Sequence, residues 1–262
     1  MTRMGIIAVL LLLGACATSM REATPGDPAA TPGLSFQNPA LDPGNGGELI
    51  KIEQLRPGDI VLSATDGITS AGIRLLTLAP VSHAAIYIGP EGVAEAVGHG
   101  IVVRSLDALL AEESVVVAFR HPKLDAAQAE RVRTFALGKV GEPYNTMGVM
   151  LLAPFSLERR VCELPLLPDG ARDFCIRGIA TVQLGAGRND RFFCSQFVLE
   201  SYRQAGLPIT DADARLVSPA DILHMREGDV PSVAIHQPLR YVGHLKVQKL
   251  APPRDPSLLT AG

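Results

Sequence analysis

Asp190-Arg191-Phe192-Phe193-Cys194-Ser195-Gln196-Phe197-Val198-Leu199-Glu200-Ser201-Tyr202-Arg203-Gln204-Ala205-Gly206-Leu207-Pro208 is the stretch on which the reading of this chain turns. Phe193, Phe197, Val198 and Tyr202 recur at helical spacing and bury one side of a helix expected over 193–205. Gly206 and Pro208 end it. Cys194 falls in the first turn, where backbone N–H groups lack helical partners and the dipole is positive. Both features favour a thiolate and could hold a developing oxyanion. A cysteine on an apolar helix is, by itself, more often a core residue. Its meaning therefore depends on what stands elsewhere in the chain.

A nucleophilic cysteine needs a base, and the base needs a group to orient it. Ser82-His83-Ala84-Ala85-Ile86-Tyr87-Ile88-Gly89 places His83 at the head of an apolar strand. Val93-Ala94-Glu95-Ala96-Val97 places a carboxylate inside another, where it requires a partner. His83 is the natural one. Gly89-Pro90-Glu91-Gly92 joins the two strands as a turn. If that turn is even, Ile86 opposes Glu95, and His83 and Glu95 point to opposite faces. The triad reading therefore requires a bulge or an odd loop at Gly89–Gly92. His99 is an alternative polar partner. Asp59, after a turn glycine, reads as a backbone cap, and Ser195 as a helix-turn residue.

Elsewhere, Leu55-Arg56-Pro57-Gly58-Asp59 is a turn before a strand at 60–63. Residues 67–79 suit a helix. Strands are expected at 101–104 and 115–120. A helix is expected at 125–137, with Asp125 as N-cap and Gly138 just past its end. Ser218-Pro219-Ala220-Asp221 is a helix start. Helices mixed with antiparallel hairpins indicate an α+β domain.

The chain has 262 residues, enough for one large domain or two small ones, and 47% of them are hydrophobic, enough for a substantial core. A net charge of −3, no Trp and 5% aromatic residues leave no footprint for nucleic acid. Four cysteines occur, without a CxxC pair or a Cys/His cluster of zinc spacing, so no structural metal is expected. Residues 1–16, with Arg3, an apolar run from Ile6 to Leu13 and then Gly14-Ala15-Cys16, fit an export signal. Their last four residues resemble a bacterial lipobox, which makes Cys16 the expected lipidation site and membrane anchor. Ala17 in the next position points to the outer membrane. Residues 17–47, rich in Ala, Thr, Pro and Gly, read as a flexible tether. The domain then spans 48–249, and 250–262 is a tail. Export to an oxidising compartment leads us to expect a disulfide between Cys162 and Cys175, with Pro165, Pro168, Asp169 and Gly170 forming a turn between them. Such a bridge would pin the irregular stretch 155–190 beside the Cys194 helix.

LRPGDIVLS, SHAAIYIG, AEAVGHGIVVRSL, GEPYN and FFCSQFVLESY, in that order, resemble the permuted papain-like amidase family of the YaeF/YiiX type, a circularly permuted relative of the NlpC-type cell-wall peptidases. The resemblance spans residues 50–225 and leaves 155–190 unmatched. It implies a papain-like fold with the Cys helix packed on a small antiparallel sheet. It also implies Cys194 as nucleophile, His83 as base, Glu95 as third polar residue and Tyr144 as a substrate-lining residue. The implied reaction is hydrolysis of an amide through a thioester, with no cofactor. The expected partner is an amide-containing envelope substrate, either a cell-wall peptide or an N-acyl compound. An acyltransferase with the same triad, or a non-catalytic envelope binding module, are the alternatives.

Overall fold

The computed structural model describes residues 18–21, 33–36, 48–65, 79–146, 192–226 and 233–247, with isolated positions at 70 and between 148 and 178. Cys16, most of the expected helix at 67–79 and the tail lie outside the described residues. Part of the stretch read as a tether is paired. β1 (Thr18–Arg21) and β2 (Gly33–Phe36) form a two-stranded antiparallel sheet of their own.

The domain is built on a six-stranded sheet. Its strands are β3 (Ile60–Ala64), β4 (His83–Gly89), β5 (Gly92–Val97), β6 (Gly100–Arg104), β7 (Val115–Arg120) and β8 (Arg240–Lys246). They run β6-β5-β4-β3-β7-β8 across the sheet, every pairing antiparallel. Among the described residues four helices accompany them: α1 (Leu106–Glu112), α2 (Ala126–Gly138), α3 (Cys194–Gln204) and α4 (Pro219–His224). Fold class is α+β, as the sequence indicates. Strand β8 and helix α1 are additions to the sequence reading.

Alternation along the strands divides the apolar residues between two cores. Ile60, Leu62, Ala84, Ile86, Ala94, Ala96, Val117 and Phe119 face one side, where Phe197, Val198 and Tyr202 of α3 pack on them. Each of those three helix side chains is fully buried and contributes roughly 2 kcal/mol of burial. Val61, Ala85, Tyr87, Val93, Val116 and Ala118 face the other side, against Leu106 and Leu109 of α1.

Local chemistry sets the element ends. Asp125 caps α2 by accepting from the Gln128 N–H, and the Gln128 side chain returns the bond. Gly138 is the last residue of that helix rather than the residue beyond it, and Lys139 closes it in a right-handed conformation. Ser218 caps α4, with Pro219 at its first position. Gly58 adopts φ +89° in the turn before β3, a conformation that favours glycine.

Asp59, at that turn, does more than cap backbone. One carboxylate oxygen accepts from the Arg56 N–H, and both bind Arg120 of β7 at 2.6 Å. The pair is buried. Breaking it by removing one partner strands a buried charge. Asp59→Ala should therefore lower unfolding free energy by about 3–5 kcal/mol in urea titration, and Arg120→Met added to it should recover part of the loss. A loss below about 1 kcal/mol would mean the pair does not hold this turn.

Candidate active site

Position along β4 and β5 determines whether His83 and Glu95 can meet. Ala85 pairs with Glu95 and Tyr87 with Val93, whereas Gly89 pairs with Gly92. The register shifts by one between Tyr87 and Gly89, so Ile88 is the extra residue of a bulge. That insertion brings Glu95 opposite Ala85, two positions from His83, and both side chains fall on one face. It supplies the bulge that the sequence reading required. Gly92 is needed there, since a Cβ would stand 2.1 Å from the Arg104 carbonyl oxygen.

His83 Nε2 lies 2.7 Å from Glu95 Oε2. The same ring hydrogen-bonds the Cys194 side chain. With Nε2 held by Glu95, Nδ1 is the nitrogen left to face the thiol. Burial disfavours the charged ring, but the hydrogen bonds to Cys194 and Glu95 raise the His83 pKa to about 10.

Glu95 is almost completely buried. Burial alone would raise its pKa, yet His83 and Arg104 hold it below the usual range. Arg104, on the adjacent β6, approaches Glu95 Oε1 with Nε at 2.7 Å and Oε2 with Nη2 at 3.1 Å. Its guanidinium also reaches Glu112 at 2.7 Å and Glu113 at 3.2 Å, at the end of α1. The sequence reading did not include Arg104. The signal available was its place on the neighbouring strand with the parity of Val93 and Glu95.

Cys194 is the first residue of α3 and is buried. Phe193, the N-cap, provides no side-chain acceptor, so the first-turn N–H groups are not capped from a side chain. Tyr144 forms a backbone bridge with Phe192, and the Asn145 N–H donates to the Phe192 carbonyl at 2.9 Å. Burial raises the Tyr144 pKa, and its electrostatic interaction with Cys194 adds to the rise; the ring packs against the core cluster to which Cys194 belongs. The other candidates fall away from this cluster. His99 is exposed in the β5–β6 turn. Asp59 belongs to the Arg120 pair, and the Ser195 hydroxyl donates to the Val217 carbonyl at 2.6 Å.

Cys162 and Cys175 are joined in a disulfide with their Cα atoms 5.7 Å apart. Cys194 is the free cysteine among the described residues. Nearby, Leu152 and Phe155 pack on Phe193, with Tyr144, Ile176 and Leu216 against the cluster. Arg159 forms a buried ion pair with Asp221 of α4.

Comparison with known proteins follows the same residues. A model of the permuted papain-like amidase family, YaeF/YiiX, C92, matches residues 54–149, the span that holds His83, Glu95, Arg104 and Tyr144. The probable lipoprotein peptidase YaeF of Escherichia coli (strain K12) is 35% identical over 244 residues, covering 90% of this chain and 89% of the relative. The crystal structure of metalloprotein yiiX from Escherichia coli O157:H7 is 20% identical, with a TM-score of 0.42 over 76% of this chain and 99% of that one.

The geometry makes a prediction about thiol reactivity. With the His83 ring bonded to the Cys194 side chain and its pKa raised to about 10, a cation stands beside the sulfur, and iodoacetamide should alkylate Cys194 at neutral pH faster in the native protein than in His83→Ala. In His83→Ala the rate should drop at neutral pH and climb with pH as an ordinary thiol does, near about 8.5. Matching pH–rate profiles in the two proteins would disprove the Cys194–His83 ion pair.

Proposed function

Since this chain belongs to the permuted papain-like amidase family of the YaeF/YiiX type and is thus a cysteine peptidase- or amidase-like enzyme, we propose that it hydrolyses an amide of the cell envelope through a thioester on Cys194. The observation that carries the reading is the His83 ring, bonded to Cys194 on one side and to Glu95 on the other.

In this reading His83 Nδ1 holds the thiol proton, and the Cys194 sulfur attacks the substrate carbonyl. The uncapped first turn of α3 offers N–H groups to the oxyanion. The tetrahedral intermediate collapses as His83 gives its proton to the departing amine, which leaves a thioester. Water, deprotonated by His83, then releases the acid and restores the thiol. Glu95 fixes the ring and offsets its charge throughout. Tyr144, packed against the core that holds Cys194, borders the site where the acyl group sits. The substrate is a cell-wall peptide or an N-acyl compound.

Anchoring belongs to the same proposal. The relative named as a lipoprotein and the Leu13-Gly14-Ala15-Cys16 sequence support acylation of Cys16 and an envelope location, and Ala17 after the cysteine favours the outer membrane.

Two experiments check these points. Incubated with envelope extract and quenched in acid, the protein should carry an acyl adduct on the Cys194 peptide by mass spectrometry. Cys194→Ala should abolish turnover, while Glu95→Gln should retain a measurable fraction, because an orienting group contributes less than the nucleophile. Equal loss in a folded Glu95→Gln protein would assign Glu95 a direct part in proton transfer. Separately, Cys16→Ser should move the protein from the membrane pellet to the soluble fraction. Retention in the pellet after a salt wash would refute the anchor.

A further inference from the structure

A cavity of about 400 Å³ lies along α3 and is lined by neither Cys194, His83, Glu95 nor Tyr144. Its helix wall is the stripe Gln196, Leu199, Glu200 and Arg203. These residues repeat at i, i+3, i+4 and i+7, so they share a face. Gln196 follows Cys194 by two residues, about 200° around the helix axis. The cavity is therefore behind the helix, on the side away from the sulfur.

Residues 209–215 form the facing wall. The Thr210 hydroxyl braces it by donating to the Ala234 carbonyl at 2.6 Å and accepting from the Ala212 N–H at 3.1 Å. Phe192, Leu199 and Ile209 give the cavity an apolar body.

Its polar groups are mostly satisfied by one another. Glu200 accepts from Arg203 and Gln204, and Asp213 accepts from Arg215. Gln196 is the exception: its side chain is only 7% exposed, and its Oε1 is buried with no hydrogen-bond partner. A buried acceptor without a donor is costly, by an amount that a ligand N–H would return. Among the charged residues of the lining, three acids (Glu200, Asp211, Asp213) face two arginines (Arg203, Arg215), so the cavity is net anionic.

We propose that this cavity is a second binding site, separate from the Cys194 cleft, for a small organic ammonium whose N–H donates to Gln196 Oε1 and whose apolar body rests on Phe192, Leu199 and Ile209. The site needs a cation because a neutral donor would leave the acidic excess unbalanced. An anionic ligand would meet both that excess and a second acceptor at Gln196.

Isothermal titration with phenethylammonium, and with 3-phenylpropionate as the anion of similar shape, tests this. The ammonium should bind saturably, one per chain, and the anion should not. Binding should persist in Cys194→Ala, and weaken about tenfold in Gln196→Met, which keeps the side-chain volume and removes the acceptor. Ala212→Trp, at a partly exposed position of the opposite wall, should block it by filling the space. Thermal melts of both variants establish that they fold. No saturable binding to the native protein, equal binding of the anion, loss of binding in Cys194→Ala, or undiminished binding in both folded cavity variants would each overturn the proposal.

Discussion

The carboxylate of Glu95 is the constraint around which the site is organised. It is an anion in the middle of an apolar strand, with 1% of its surface exposed. Such a group persists only if its charge is matched. His83 and Arg104 supply the match from the two neighbouring strands, one on each side. Arg104 is itself positioned by Glu112, the last residue of α1, and Glu113, just beyond it. A line of alternating charge thus runs from α1 through β6 and β5 to His83 of β4, whose ring bonds the Cys194 side chain of α3. Each member has the next as its reason for being charged. The single extra residue at Ile88 allows this line to close, because it sets Glu95 on the face of His83.

The two cores then explain why the site lies where it does. α3 packs on the face of Ala84 and Ile86, whereas His83 shares parity with Ala85 and Tyr87, on the face of α1. A side chain of that parity in mid-strand would be separated from α3 by the sheet. His83 is the first residue of β4 and Cys194 the first of α3. At these ends the sheet no longer intervenes, and the two can meet. A mechanism that requires an imidazole on one face and a helix N-terminus on the other is confined to the sheet's edge along the strand direction.

Much of this was legible in the sequence, for identifiable reasons. The α3 helix is visible because its apolar repeat and its Gly206-Leu207-Pro208 stop agree. His83 and Glu95 are visible as polar residues in apolar strands. The need for a bulge could also be inferred, although its position could not, since parity counts residues without saying which one is extra. Arg104 was missed because an arginine ending a strand reads as a solvated terminus, and only the pairing of Val93 with Arg104 aims it inward. β8 was missed because Arg240-Tyr241-Val242-Gly243-His244-Leu245-Lys246 mixes charges and a glycine. It lies at the end of the sheet, where among the described residues only Glu48 and Ile50 bond its backbone beyond β7, at His244, so its pattern is weak. Asp59 was read as a cap because its second partner, Arg120, is distant in sequence.

In the stretch after Tyr144, the bridge and the attachment expected of it rest on different residues. A Cys162–Cys175 bridge was expected to pin this stretch beside the Cys194 helix. The bridge is present, but both cysteines belong to the stretch itself, thirteen residues apart. A link between two parts of one segment fixes the shape of that segment and leaves its attachment to the domain undetermined. Attachment comes from other contacts. Phe155, fully buried, packs on Phe193, the residue that caps α3. Arg159 spans to Asp221 at the start of α4, where Asp221 also accepts from the Ser218 N–H at 2.7 Å. Arg159 further donates to the Leu216 carbonyl at 3.2 Å. Both charges of the pair are buried, so separating them would expose each to an uncompensated desolvation penalty. Reduction of the disulfide would therefore loosen the segment internally while Phe155 and Arg159 keep it beside the active-site helix.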